Sequence, residues 1–202
     1  ASYRVRIALE LKGLPYDYAS VHLRRGEQLS ADFRAINPQG LVPALIDNGA
    51  TLTQSLAIIE YLEETHPQPP LLPSSAAERA RVRALAQTVA CEIHPLDNLK
   101  VLNYLRQEFS ADDAKIRQWY HHWLREGFAA LEPMLAQSHF TERFCHGDSP
   151  GMADICLVPQ IANAERFRFD MSPYPLITRI GQSCLELEAF QRAAPERQPD
   201  AE

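Results

Sequence analysis

A mixed α/β segment followed by an all-α segment is the architecture this sequence predicts, on three observations. Helical and strand periodicities alternate in the first third of the chain, a proline-rich stretch from His66 to Ser75 interrupts them, and only helical periodicity follows. The expected domains are residues 1–66, a linker over 67–75, and an all-helical domain over 76–202.

Val5, Ala8 and Leu9 share one face of an opening helix, and Gly13 is placed to end it. Tyr16 to Leu23 alternates loosely as a strand, and Leu29 to Ile36 reads as a short helix. Ala44-Leu45-Ile46 and Thr51-Leu52-Thr53 flank Asp47-Asn48-Gly49, where the Asn-Gly pair marks a hairpin turn. Pro43 has no amide hydrogen, so it suits a strand entrance; it is a candidate cis bond that leaves the backbone of Val42 to face a ligand. Leu56, Ile59, Tyr61 and Leu62 mark a helix whose first positions are Gln54 and Ser55. Unpaired amides and the positive dipole end at such a start attract a carboxylate. A backbone clamp and an anion site this close along the chain suit a peptide-like acidic ligand.

Beyond the prolines, helical periodicity runs from Ala76 to Phe109 with an interruption near Pro95, then from Asp112 to Gln137 with Trp119, Trp123 and Phe128. Gly151 to Ala164 and Pro175 to Arg192 supply further helices. Asp154, three residues after Gly151, is placed to close a capping box; glycine at the capping position costs only about a few tenths of a kcal/mol.

A chain of 202 residues with 46% hydrophobic content can bury one or two cores, and no apolar run approaches the length of a bilayer span. A net charge of -6 argues against nucleic acid or an anionic membrane as the main partner, because both need a basic field. Cys91, Cys145, Cys156 and Cys184 form no Cys-x-x-Cys pair and read as buried, reduced thiols. His121 and His122 are adjacent and do not share a helical face, so no metal is assigned. No signal or transit segment opens the sequence, which makes the cytoplasm the expected compartment.

Val42-Pro43-Ala44-Leu45, a turn, then Gln54-Ser55 before a helix resembles the glutathione site of the thioredoxin-like domain in cytosolic glutathione transferases. Ser2-Tyr3-Arg4-Val5-Arg6-Ile7-Ala8-Leu9, the run from Gln54 to Glu64, Leu157-Val158-Pro159-Gln160, Tyr174-Pro175 and Gln198-Pro199-Asp200 resemble the zeta class in particular. That class includes isomerases of maleylacetoacetate and maleylpyruvate. The resemblance covers nearly the whole chain and implies a thioredoxin-like N-terminal domain with an all-α C-terminal domain. The family's domain begins with a strand in the middle of its sheet, whereas this chain opens on a helix. The natural protein is therefore expected to continue upstream of Ala1, with the family's Ser-Ser-Cys loop outside the chain and Ala1 where its Cys would stand.

The resemblance implies a glutathione-dependent cis-trans isomerase that converts maleylacetoacetate to fumarylacetoacetate in tyrosine and phenylalanine breakdown. Maleylpyruvate isomerisation, transfer of glutathione to small alpha-halo acids, and non-catalytic glutathione binding are the alternatives. It implies Ser2 and Arg4 as catalytic residues beside the family's Ser-Ser-Cys loop, and Tyr3, Gln28, Val42, Gln54, Ser55, His94, Asn98, Leu99 and Lys100 at glutathione. Arg4, Lys100 and Arg166 are the cations it offers to a dicarboxylic keto-acid substrate. A homodimer is implied as well.

Overall fold

The opening helix α1 (Ser2–Leu11) buries Tyr3, Val5, Ile7, Ala8 and Leu9, the apolar face that makes it fold against its neighbours, in a computed structural model that describes Ala1–Ala201. The chain divides into two compact units, one formed by Ala1–Leu71 with the residues from Leu185 onward, the other by Leu72–Cys184.

In the first unit Gly13, at φ +64°, closes α1, and the Leu14 amide donates back to the Leu9 carbonyl at 3.0 Å. Ser30 caps α2 (Ala31–Ile36) by accepting from the Phe33 amide, so this helix starts two residues later than its apolar pattern suggests. Strands β1 (Ala44–Asp47) and β2 (Ala50–Thr53) form an antiparallel hairpin with Leu45 opposite Leu52. Asn48 and Gly49 both take positive φ in its turn, which that pair of residues tolerates. Helix α3 (Ser55–Thr65) buries Ile58, Ile59 and Leu62 and packs on α1.

The segment from Tyr16 to Leu23 is not a strand. The sheet has two strands, and residues 14–22 join neither; alternating side chains mark burial, but only a ladder partner makes a strand. Two 3-10 turns, Leu23–Arg25 and Glu27–Leu29, follow instead.

The second unit is helical. Ser75 caps α4 (Ala76–Gln87), which runs into a π-helical stretch over Thr88–Ile93. The chain turns at Pro95 and resumes, capped by Asn98, as α5 (Leu99–Phe109). Helix α6 (Asp113–Ala136) is capped by Asp112, and Gly127 lets it meet the π-helical stretch: a Cβ there would run into the Ile93 side chain. Helix α7 (Met152–Arg166) is buried nearly all round. Asp154 accepts from the Gly151 amide and the Cys145 amide, each at 2.9 Å; glycine returns no side-chain bond, so half a capping box forms. Glu132 on α6 accepts from the amides of Leu176 and Ile177 at the start of α8 (Pro175–Leu185). Among the described residues no helix is long and apolar enough to cross a membrane.

The expected helix from Pro175 to Arg192 breaks after Leu185, and a short α9 (Glu188–Arg192) follows. This tail packs in the first unit, not in the helical one. Tyr3 Oη donates to the Phe190 carbonyl at 3.0 Å, Arg6 Nε to the Ala193 carbonyl at 2.8 Å, and Phe190 is fully buried. Periodicity reports that a segment is helical but carries no information on where it docks. One thiol also departs from expectation: Cys91 is exposed, while Cys145, Cys156 and Cys184 are buried.

Candidate functional site

In the first unit the candidate residues gather where β1 is entered and α3 begins. The Val42–Pro43 bond is cis and leads directly into β1. Val42 is half-buried, and its N–H and C=O find no hydrogen-bond partner among the described residues. After the hairpin, Gln54 sits at φ 69° and ψ 116°, a region that costs a non-glycine residue about 1–3 kcal/mol and that clusters at functional sites.

Helix α3 carries no side-chain cap, and its first intrahelical bond is from the Ile58 amide to the Gln54 carbonyl. The amides of Ser55, Leu56 and Ala57 are therefore the donors left at its positive end. Behind them lies Arg4, 2% exposed, whose Nη1 donates to Ser55 Oγ at 3.2 Å. Its Nε has no partner, and Arg4 makes no ion pair among the described residues. This part of the unit can hold an anion.

Several sequence-based assignments change here. The Arg4 guanidinium is buried behind Ser55, so it is not a direct contact for a substrate. Tyr3 commits its hydroxyl to Phe190 and its ring to the core, which leaves only its backbone for a ligand. The side-chain Nε2 of Gln54 donates to Gln39 Oε1 at 2.8 Å. Ser2 lies in the first turn of α1, and its hydroxyl makes no hydrogen bond among the described residues. Gln28 lies in the second 3-10 turn with a buried, unpartnered Oε1.

In the second unit His94, Asn98, Leu99 and Lys100 lie at the turn between the π-helical stretch and α5. Asn98 Oδ1 accepts from the Lys100 amide at 3.0 Å, so its acceptor caps α5. Lys100 is exposed in the first turn of α5. Arg166, at the end of α7, is exposed; its Nη2 donates to Asn163 Oδ1 at 2.9 Å, and its guanidinium lies 5.6 Å from the Phe167 ring centre.

The same unit holds a buried polar group that the sequence reading passed over. Asp97 is 6% exposed with neither carboxylate oxygen hydrogen-bonded, and burial pushes its pKa up to about 8. Gln160, inside α7, is buried with its amide unpartnered. Tyr120, stacked on Phe167 with ring centres 3.6 Å apart, has its hydroxyl pKa raised by burial and by Asp97, against the opposing pull of Arg166. The signal for Asp97 was its place between Pro95 and the Asn98 cap, where a carboxylate on a solvated turn is the ordinary expectation. A surface concavity of about 340 Å³, lined by Met171, Pro175 and Arg179, lies apart from these residues along the chain and contains none of them.

Residues 1–65 match the family model for the glutathione S-transferase N-terminal domain. The maleylpyruvate isomerase of a Ralstonia species is 52% identical over 99% of this chain and 94% of its own length. A holo structure of a maleylpyruvate isomerase, described as a bacterial zeta-class glutathione transferase, superposes with a TM-score of 0.97 at 53% identity, covering 100% of this chain and 95% of that one. The chain belongs to the zeta class of glutathione transferases. Within that class, the maleylacetoacetate isomerase of Methylobacterium extorquens, solved with malonate and glutathione bound, has a TM-score of 0.96 at 43% identity, covering 100% of this chain and 94% of that one. The zeta-class wording read from Ser2 to Leu9 and from Gln54 to Glu64 falls on α1 and α3, the two helices that bring Arg4 and Ser55 together.

Proposed function

We propose that this zeta-class protein is a glutathione-dependent cis-trans isomerase that converts maleylacetoacetate to fumarylacetoacetate. The observation that carries the reading is the anion position at the start of α3, with unpaired amides, the Ser55 hydroxyl and a buried Arg4 behind it, next to the unpaired backbone of Val42. An extended peptide with a carboxylate matches both halves, and a relative of 43% identity holds glutathione. Lys100 and Arg166 are exposed cations of the second unit and are proposed as partners for the substrate's carboxylates.

The chemistry needs a sulfur nucleophile that both adds and leaves. Bound glutathione would supply that sulfur: its addition to one carbon of the cis double bond, with the π electrons taken up by the conjugated carbonyl, would leave a single bond free to rotate, and its departure would restore the double bond as trans and regenerate the tripeptide. A free thiol near pKa 8.5 is only a few per cent ionised at neutral pH; lowering it by roughly two units corresponds to about 2.7 kcal/mol of differential stabilisation. The N-terminus of α1, with the Ser2 hydroxyl, is proposed to contribute part of that.

Maleylpyruvate is the second reading, favoured by the 52% identity to an isomerase of that name. Comparing kcat/KM for the two substrates decides between them; a larger value for maleylpyruvate reverses the assignment. Replacing Arg166 by Ala is expected to raise KM for the diacid about tenfold and to leave a neutral acceptor unaffected. Equal effects on both would remove its carboxylate role. On the family resemblance we also propose a cytoplasmic homodimer, a reading that the exposed Tyr104 and Phe109 of α5 favour.

A further inference from the structure

A serine hydroxyl has one proton to donate and two lone pairs with which to accept. At Ser55 one lone pair is taken by Arg4 Nη1, and the proton has no acceptor among the described residues. Serine near a helix start usually spends its oxygen capping the helix, but α3 has no side-chain cap. Ser55 is therefore held by a cation on one side and is a donor in want of an acceptor on the other.

Arg4 itself is not explained by packing alone. A guanidinium buried to 2% exposure is ordinarily matched by a carboxylate, because an unpaired buried charge is costly. Here its one hydrogen bond goes to a neutral hydroxyl, and its Nε is buried without a partner. The α3 amides, the Ser55 proton and the Arg4 charge all favour negative charge at the same place.

We propose that Arg4 is a positioning residue for a ligand carboxylate: by donating to Ser55 Oγ it commits the Ser55 hydroxyl to donate to that carboxylate. The proposal rests on the reading of glutathione as the ligand and assigns Arg4 an indirect role in holding it. Its charge reaches the ligand through Ser55, so the two residues act as one unit. Arg4 touches neither the sulfur nor the isomerising substrate.

The test is a double-mutant cycle on glutathione binding, measured by calorimetry with the full chain. Ser55→Ala and Arg4→Met are each expected to weaken binding about tenfold, and the double variant to be little worse than either alone. The two mono-amides of glutathione, each with one carboxylate converted to a carboxamide, give a readout that a purely structural arginine would not move. Arg4→Met should lose its effect on one mono-amide and keep it on the other. Arg4→Gln, which retains a donor without the charge, should fall between wild type and Arg4→Met, and it replaces the methionine variant if that one fails to fold. Losses that multiply fully in the double variant, or that are equal for both mono-amides, overturn the proposal while leaving glutathione binding intact. Wild-type protein that binds no glutathione overturns the functional reading instead.

Discussion

Lys12 Nζ lies 2.9 Å from Glu63 Oε2 inside the first unit, and both side chains are buried. The ammonium also donates to the carbonyls of His66 and Pro69, at 2.6 and 3.0 Å, and Glu63 accepts from the Leu71 amide at 2.9 Å. One ion pair thus ties the end of α1 to the end of α3 and to the proline-rich exit of the unit. Breaking a buried pair from one side leaves a charge without compensation, so Lys12→Met should destabilise the protein by about 3–5 kcal/mol in urea unfolding. Glu63→Gln keeps the acceptor and should cost less. A Lys12→Met loss under about 0.5 kcal/mol would show that the pair holds nothing together.

Asp154 binds two amides at the start of α7 from a fully buried position. Asp154→Ala leaves both unpaired and should cost about 2–4 kcal/mol, whereas Asp154→Asn keeps one carbonyl oxygen and should cost about half as much. The comparison is again by urea unfolding. Equal losses would mean that the charge matters and the geometry does not.

Burial raises the pKa of Asp97 to about 8 in the folded state, against about 3.9 for a carboxyl in an unfolded chain. Between those values the folded state keeps a proton that the unfolded state has released. The stability linked to Asp97 is therefore intact below about pH 4, declines as pH rises, and levels off above about pH 8. Asp97→Asn has no proton to lose. Its stability relative to wild type should rise across that window by on the order of a few kcal/mol, measured by denaturant midpoints at pH 5 and pH 8. A difference that does not change with pH would place the Asp97 carboxylate in water.

Only Cys91 among the four cysteines is exposed, and burial pushes the thiols of Cys145 and Cys184 well up from their ordinary values. A thiol reagent at neutral pH should modify one residue per chain in the native protein and four after denaturation, counted by mass spectrometry. Rapid native modification at Cys145 or Cys184 would contradict the packing around Asp154.

What could be read from the residues follows a physical division. Turn chemistry and caps are local, so the Asn48-Gly49 hairpin, the cis Val42–Pro43 bond and the Gly151–Asp154 half-box were legible. The start of α3 near Gln54 and Ser55 was legible for the same reason. Partners distant along the chain were not. Whether Tyr16–Leu23 becomes a strand depends on a ladder partner, and whether Glu188–Arg192 packs with α1 depends on Phe190 and Ala193 finding Tyr3 and Arg6. The burial of Arg4 was not legible, because its partner Ser55 is fifty-one positions away. The burial of Asp97 was not legible either, because burial of a turn is a tertiary property.

Glutathione sulfur is proposed as the reversible nucleophile of an isomerisation. The most direct measurement follows maleylacetoacetate by absorbance as glutathione is varied, with total thiol determined at the end. The rate should be negligible without glutathione, rise with its concentration to saturation, and leave the thiol unconsumed over many turnovers. Conversion at the same rate without the tripeptide, or with one thiol lost per product, would contradict it.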